Sequence, residues 1–485
     1  MVLTLNFKRM KKLSTFRIYT FVILITLTGC STDFLDEPQP TQQVSEGVVF
    51  GSTDGVEAFI SGIIREGRGR FAGQANSNIA SFYTSRIWKG DDMMFLGTGF
   101  WRIDYDYTGR TADNYRPRFI WNFCYHMINQ INNLINGVEA FDALSDSEKA
   151  YYSAKGKALR GYYYFQLALE FSKAYSVDPS FPAGPIYTAL TTEGKSMRTC
   201  AEMYELIVDD LTFAVDNLTS DRLGKSYVNK QVAAGILARV YLTMENWSGA
   251  EEMANLAYNN DLAGSFAPEL YGDGFIDINN PEWIWGYDQT PDQWVSAHTP
   301  AAWTDILGSG LAPYKVGYMN VNFTNLFSAT DVRNLFVINN TNVNNVRHMT
   351  TTKFLFDKEN LDYPILRKPE MVLTEAEAKF RQGDEDGAHD LLFYVQQNRD
   401  PDAVKSTNTG SDLEEEILLE RRKELYGEIG VEWFDAKRLQ RGITRTSNHL
   451  IALTIVPNDI QFVMQVPESE TDANENIDAS VNDNR

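Results

Sequence analysis

The chain reads as a mainly α protein: a tetratricopeptide-like helical-repeat scaffold with long irregular loop insertions and a few short strands. Three observations predict this. Asn229 to Asn260 has the pattern of two short helices that cross through alanines. A second copy of that unit follows in the segment beginning LTEAEAKF. Between the copies, from about Phe266 to Tyr363, the helical period disappears and tryptophans stand among glycines and prolines.

The first unit places Ala234, Leu237, Ala238, Tyr241 and Met244 at three- and four-residue steps, the stripe of an amphipathic helix. Asn246 and Trp247 interrupt it, and Ser248 with Glu251 predicts a capping box for a second helix carrying Ala250, Ala254 and Ala257. Such a hairpin cannot bury its apolar face alone and calls for stacked neighbours. In the copy, Ala376 and Ala388 repeat the interval of Ala238 and Ala250, with Asp384 and Gly387 at the offsets of Asn246 and Gly249. An earlier pair spans Ala154 to Tyr175 and Thr199 to Leu218, the latter opening on a Thr199–Glu202 capping box. Pro182, Gly184 and Pro185 mark a loop between them. The repeats thus occupy about 120–260 and 364–440, and the insertion about 266–363.

Lys8, Arg9, Lys11, Lys12 and Arg17 precede the apolar run Ile18 to Leu27, which is too short to span a bilayer and has the basic flank of an export signal. It ends in Leu27, Thr28, Gly29, Cys30, the pattern of a bacterial lipobox, so residues 1–29 are expected to be a signal peptide and Cys30 the lipidated residue. Residues 30–50 read as a tether and 51–485 as a single body. Removing the signal takes the formal charge from −21 to about −26. So acidic a chain is a poor partner for nucleic acid and favours a neutral ligand. Cys124 and Cys200 sit in or beside helical patterns and are expected to be buried free thiols.

The segment from Thr53 to Asn133 combines a short helix, Gly55 to Arg65, with a glycine-flanked loop holding Trp88, Asp91, Asp92, Trp101, Arg102, Asp104, Tyr105, Asp106 and Tyr107. Flat rings beside carboxylates and a guanidinium suit a sugar, offering an apolar face for its C–H side and polar groups for its hydroxyls. In the insertion, EWIWGYD alternates as a short strand, with Trp283 and Trp285 expected to pack inward; Trp294, Trp303, Tyr314 and Tyr318 lie in loops. Asp91 and Asp92 are neighbours, which point differently and make a poor pair of glycosidase carboxylates. The 5 histidines form no zinc motif, no G-x-S-x-G elbow occurs, and the Gly-Lys-Ser triplets at Gly194 and Gly224 lack the first glycine of a phosphate loop. No cofactor is expected; Gly272 to Asn280 is a carboxylate-rich loop where calcium is conceivable.

Trp121, Tyr125, Ile128 and Asn132 stand in the spacing W-x3-Y-x2-I-x3-N, and here the chain begins to resemble the SusD/RagB family of outer-membrane glycan-binding lipoproteins. LRGYYYFQLALEFSKAY is similar to a family segment, as is RKPEMVLTEAEAKF with Arg367, Glu370, Leu373, Ala376, Glu377 and Ala378. The most specific stretch is Glu420, Arg421, Glu424, Leu425, Glu428, Trp433, Phe434, Asp435 and Arg438, which resembles the family's ER-x2-EL…EG…WFD-x2-R signature; Pro467, Glu470 and Asn474 resemble its closing pattern. One extra residue precedes Trp433, and Glu432 stands where the family more often has arginine. The charges of the signature read as architecture, locking the C-terminal helix onto the repeats, and the acidic tail beyond is expected to be mobile. The resemblance implies a lipid-anchored protein on the outer membrane facing the exterior, as the acidic Asp33, Asp36 and Glu37 also suggest. It further implies a TonB-dependent barrel as partner and a glycan site built by loops, with Trp88, Asp91, Trp101, Arg102, Trp294, Trp303 and Tyr318 as candidates. Peptide or glycoprotein capture, a surface glycosidase and a protein-assembly scaffold are the alternatives.

Overall fold

The computed structural model describes residues 46–69, 78–290, 299–308, 310–358 and 360–485. The chain divides into two compact units, Met1–Val49 and Phe50–Arg485. In the first, the described residues form the short helix Glu46–Val49. The lipobox and the signal segment lie outside the described residues. No described helix is long and apolar enough to cross a membrane.

The second unit is mainly helical, as the periodicity predicts. Its long helices are α1 (Thr53–Gly69), α2 (Ile79–Ile87), α3 (Tyr115–Ala140), α4 (Asp146–Phe171), α5 (Cys200–Asn217), α6 (Lys230–Met244), α7 (Trp247–Ala257), α8 (Lys368–Arg381), α9 (Glu385–Arg399), α10 (Ser411–Leu425) and α11 (Val431–Arg438). From α3 to α9 each helix packs on the next, and α7 meets α8 although the whole insertion separates them in sequence. Two blocks of repeats are therefore one continuous stack in space, as a unit with an unburied apolar face requires.

The caps show where local chemistry decides. Thr199 and Glu202 form the expected capping box, with the Glu202 amide donating to Thr199 Oγ1 at 3.2 Å and the Thr199 amide to the Glu202 carboxylate at 2.8 Å. Ser248 does not cap α7. Asn246 does, because its side-chain oxygen accepts from the Gly249 amide at 3.2 Å and starts the helix at Trp247. Asp384 caps α9 in the same way, accepting from the Gly387 amide at 3.0 Å. The matched residues of the two copies are thus matched caps. Gly249 is small because α6 passes close: a Cβ there would meet Tyr241 Cδ2 at 2.7 Å.

The insertion takes part in two sheets. Strands β1 (Met93–Phe95), β3 (Gly317–Met319), β4 (Phe336–Ile338) and β5 (Met349–Thr351) form a four-stranded sheet in the order β1-β3-β5-β4. Strands β2 (Trp283–Tyr287) and β6 (Tyr363–Arg367) pair antiparallel. All residues of β2 are buried, so both faces are covered where simple alternation predicted one. Trp283 and Trp285 pack inward as expected; Trp285 lies edge-on to Tyr162 at 4.9 Å and donates to the Ser226 carbonyl at 3.1 Å.

Beneath these layers lies a buried ionic hub. Arg367 reaches Glu424 (2.9 Å), Glu428 (2.7 Å) and Glu282 (3.0 Å); Arg399 reaches Glu424 (2.9 Å) and Glu282 (2.8 Å). Arg333 joins Asp331 (2.9 Å), Glu420 (2.6 Å) and Glu424 (3.2 Å), and Lys353 joins Glu428 (2.8 Å). Burial alone would raise the Glu424 carboxyl, but the guanidiniums of Arg399, Arg367 and Arg333 outweigh it and hold it well below the usual range. The signature charges are therefore architectural, but they clamp the insertion to the repeats and do not merely hold one helix to its neighbours. Glu428 lies beyond the end of α10, which closes at Leu425.

The tail from 467 onward is packed. Trp121 Nε1 donates to Glu470 at 3.0 Å, Asn474 Nδ2 to the same carboxylate at 2.7 Å, and the buried Arg485 guanidinium donates to the Phe171 and Pro182 carbonyls. These long-range bonds tie to the body a tail whose acidic composition predicts mobility. Cys124 and Cys200 are buried free thiols.

Candidate functional site

The early loop and the insertion meet at an aromatic ledge. Pairing of β1 with β3 in the register Met93↔Met319 and Phe95↔Gly317 draws the two segments together. Beyond the strands, the Leu96 amide donates to Val316 O at 2.8 Å, Val316 N to Trp303 O at 3.0 Å, and Tyr314 N to Ala302 O at 3.2 Å. Phe100, from the early loop, is thereby set 6.0 Å from Tyr314. Both rings lie on Trp303: Tyr314 stacks at 3.8 Å with an interplanar angle of 11°, and Phe100 sits at 5.8 Å. Trp101 supports Trp303 edge-on at 6.0 Å. Tyr115 OH donates to the Phe100 carbonyl at 2.6 Å.

Phe100 remains 38% exposed, and Tyr314 is half-buried. Phe100 has φ 55° and Lys315, beside Tyr314, φ 50°, left-handed backbone that costs a bulky residue about 1–3 kcal/mol. Two exposed leucines, Leu307 and Leu311, lie on the loop between Trp303 and Tyr314.

The residues singled out from sequence are placed as follows. Trp88 and Trp101 are 0% exposed, Trp303 is 1% and Tyr318 is 6%. None of these offers a face to solvent, which corrects the expectation that they stack on ligand. The physical reason is size: burying the 150–250 Å² of a large aromatic is worth roughly 4–6 kcal/mol at ~25 cal/mol per Å², so the biggest rings fill the core and smaller ones reach the surface. Trp101 and Trp303 nevertheless form the floor of the ledge. Arg102 is half-exposed beside it and bonded to Asp106 at 2.6 Å. Trp294 lies outside the described residues. Sequence reasoning missed Phe100 and Tyr115 and placed Tyr314 in a loop without a role; the Gly97-Thr98-Gly99 run before Phe100 was the available signal.

Asp91 is turned away from solvent. It accepts from the Thr446 amide at 2.6 Å and lies 3.3 Å from His449 Nε2. Burial acts to raise its carboxyl, but the bonds from His449 and Thr446 win and hold it below the ordinary range. Asp92 accepts from Arg422 Nε at 2.6 Å. Its burial, with Glu432 and Asp91 nearby, outweighs Arg422 and pushes its carboxyl up to about 8. Glu432, the departure from the family pattern, accepts from the Asp91 amide at 2.6 Å and the Asp92 amide at 3.1 Å. It pins the turn from which β1 departs. Both aspartates therefore position the early loop and do not face a ligand.

Among the described residues no group of three or more His, Cys, Asp and Glu is placed to hold a metal ion. In the loop Gly272 to Asn280, Asp277 caps its own turn, accepting from the Asn279 amide at 2.8 Å.

A family model described as "Starch-binding associating with outer membrane" matches residues 33–242, and the SusD family model matches residues 315–483. A SusD-like protein of Bacteroides ovatus is 23% identical over 256 residues, 46% of this chain and 44% of that protein. One of Formosa agariphila is 25% identical over 255 residues, 51% of this chain and 46% of that protein. The chain thus matches less than half the length of either curated relative. Among solved structures, a SusD-like carbohydrate binding protein of Bacteroides vulgatus superposes with TM-score 0.81 at 25% identity, covering 88% of this chain and 98% of that one. A SusD superfamily protein of Bacteroides thetaiotaomicron gives TM-score 0.77 at 25% identity over 87% and 98%. With matched models at both ends, and a stacked-helix architecture shared across nearly its whole body, the chain belongs to the SusD/RagB family.

Proposed function

We propose that the protein is a surface lipoprotein that captures oligo- or polysaccharide at the Phe100–Tyr314 ledge and delivers it to a TonB-dependent outer-membrane barrel. Acylation at Cys30 anchors it to the outer membrane, facing the exterior. The observation that carries the reading is the ledge itself: an exposed ring on a buried aromatic floor, held where the early loop and the insertion converge. Such a platform stacks on the C–H face of a pyranose, while Tyr115, Arg102 and Lys315 at its border supply groups for hydroxyls. Nothing in this chemistry breaks a glycosidic bond; the protein binds without cleavage. The test is a glycan array with soluble protein beginning after Cys30, calorimetry on each hit, and a parallel assay for released reducing ends. Binding without release supports capture; release establishes a glycosidase.

The exposed Leu307 and Leu311, on the loop that joins Trp303 to Tyr314, favour a second reading, capture of peptide or glycoprotein in the same region. An array that is blank for glycans, with binding to peptides that is lost on Leu307→Ser and Leu311→Ser, selects it.

A further inference from the structure

A cleft of about 220 Å³, sharing no residue with the ledge, opens between α3 and the segment 185–191. Its lining includes Tyr125, Ile128, Asn129, Tyr187, Ala189 and Glu470. Tyr125 and Tyr187 stand at right angles, ring centres 5.8 Å apart and planes at 88°. The walls are fixed: Tyr125 OH donates to Pro185 O at 2.9 Å, and Asn132 Nδ2 donates to Tyr187 O at 2.9 Å while its oxygen accepts from Arg160 at 2.9 Å. Several polar groups keep unused capacity. Glu470 accepts one bond on each oxygen, from Trp121 at 3.0 Å and Asn474 at 2.7 Å, which leaves about two of its four acceptor positions. Tyr187 OH accepts from the Lys195 amide at 3.1 Å and has its own hydrogen to donate. The exposed Asn129 amide has no hydrogen-bond partner among the described residues.

We propose that this cleft is a second saccharide subsite that takes one neutral pyranose ring. Its volume is below the roughly 300–1,000 Å³ of sites for drug-sized ligands and suits a single ring. Perpendicular tyrosines give one face for the C–H side of the sugar and one edge, and spare carboxylate acceptors with an amide and a phenol donor match a run of hydroxyls. The Glu470 carboxylate selects against uronic acids. Lys195, which lies over the Tyr187 ring, donates one of its three N–H groups to Ile186 O at 3.0 Å and is not among the residues that line the cleft. The subsite rests on the glycan reading but not on the ledge, so a long chain could be held at two points, with an avidity that neither gives alone.

The test is saturation-transfer NMR on soluble protein beginning after Cys30, with D-glucose, D-galactose, D-mannose and D-xylose, and D-glucuronate as the anionic comparator. Asn129→Ala removes an exposed amide that holds no internal bond, and Ala189→Trp fills the cleft from an exposed position; neither disturbs the core. At least one neutral sugar is expected to give signal, reduced at least tenfold in both variants and retained in Phe100→Ala/Tyr314→Ala. The proposal is overturned if no neutral monosaccharide binds, if folded Asn129→Ala and Ala189→Trp bind as the parent does, or if glucuronate binds equally well. Loss of oligosaccharide binding in the ledge variant alongside any of these results would leave the ledge reading standing and remove only the cleft.

Discussion

Replacing Glu424 by glutamine probes the hub that holds the site's scaffold together. Glu424 receives guanidinium groups from Arg367 and Arg399, each at 2.9 Å, and Arg333 at 3.2 Å, all fully buried. Removing one partner of a buried ion pair costs about 3–5 kcal/mol, because the other charge is left uncompensated. Here each arginine keeps a second carboxylate: Glu282 or Glu428 for Arg367, Glu282 for Arg399, Asp331 and Glu420 for Arg333. The loss therefore belongs at the lower end, about 3 kcal/mol. With an unfolding entropy of ~2.1 cal/mol/K per residue over the 436 residues of the body, that is a fall in Tm of about 3 °C. The sign of the pH dependence follows from the depressed carboxyl. Its contribution is fully present above the unfolded value near 4.5 and is lost as pH falls through the folded value. The gap between parent and variant should thus be constant from pH 8 to 5 and narrow below. Scanning calorimetry across that range, with the exposed pair variant Lys405→Ala as a control within about 0.5 kcal/mol, measures it. A Tm unchanged at pH 7, or a gap that widens in acid, would mean that the Glu424 charge does not hold the hub together.

Phe100→Ala and Tyr314→Ala are each expected to weaken glycan binding by about 1 kcal/mol of stacking, some fivefold, with little change in Tm. Trp303→Ala, which empties the floor, should cost about 3–5 kcal/mol of stability in thermal unfolding, so a Trp303 variant that binds weakly while remaining as stable as the parent contradicts the burial argument. Glu432→Ala leaves the Asp91 and Asp92 amides without their acceptor and is expected to lower stability by about 1–3 kcal/mol in denaturant titrations. Burial raises the Cys200 thiol to about 11 and Cys124 well above its usual 9.0, so neither should react with a thiol reagent at pH 8 until denaturant is added.

What could be read from the sequence was what neighbouring residues decide. The Thr199–Glu202 box is a contact within a few residues, and its spacing states it directly; Asp384 and Gly387 were legible as a repeated turn, and the structure shows that turn to be a cap. The Ser248 cap failed by two residues because Asn246 and Ser248 are both competent and only the backbone chooses. The hub was legible as charge at helical spacing, but not as a clamp, since Glu282, Arg333 and Lys353 come from the insertion, where no period announces them. The site region was legible as aromatics in two loops. Which rings face solvent was not, because it is set by the β1–β3 register, a long-range pairing that buries Trp101 and Trp303 and leaves Phe100 outside.

Glycan capture at the ledge is what the proposed function stands on. Its most direct test is calorimetric titration of the best array ligand into parent and Phe100→Ala/Tyr314→Ala proteins, each first shown to unfold at the same temperature. Expected are binding by the parent, affinity at least tenfold weaker in the double variant, and no reducing ends released by either. Equal affinity in a fully folded double variant would contradict it.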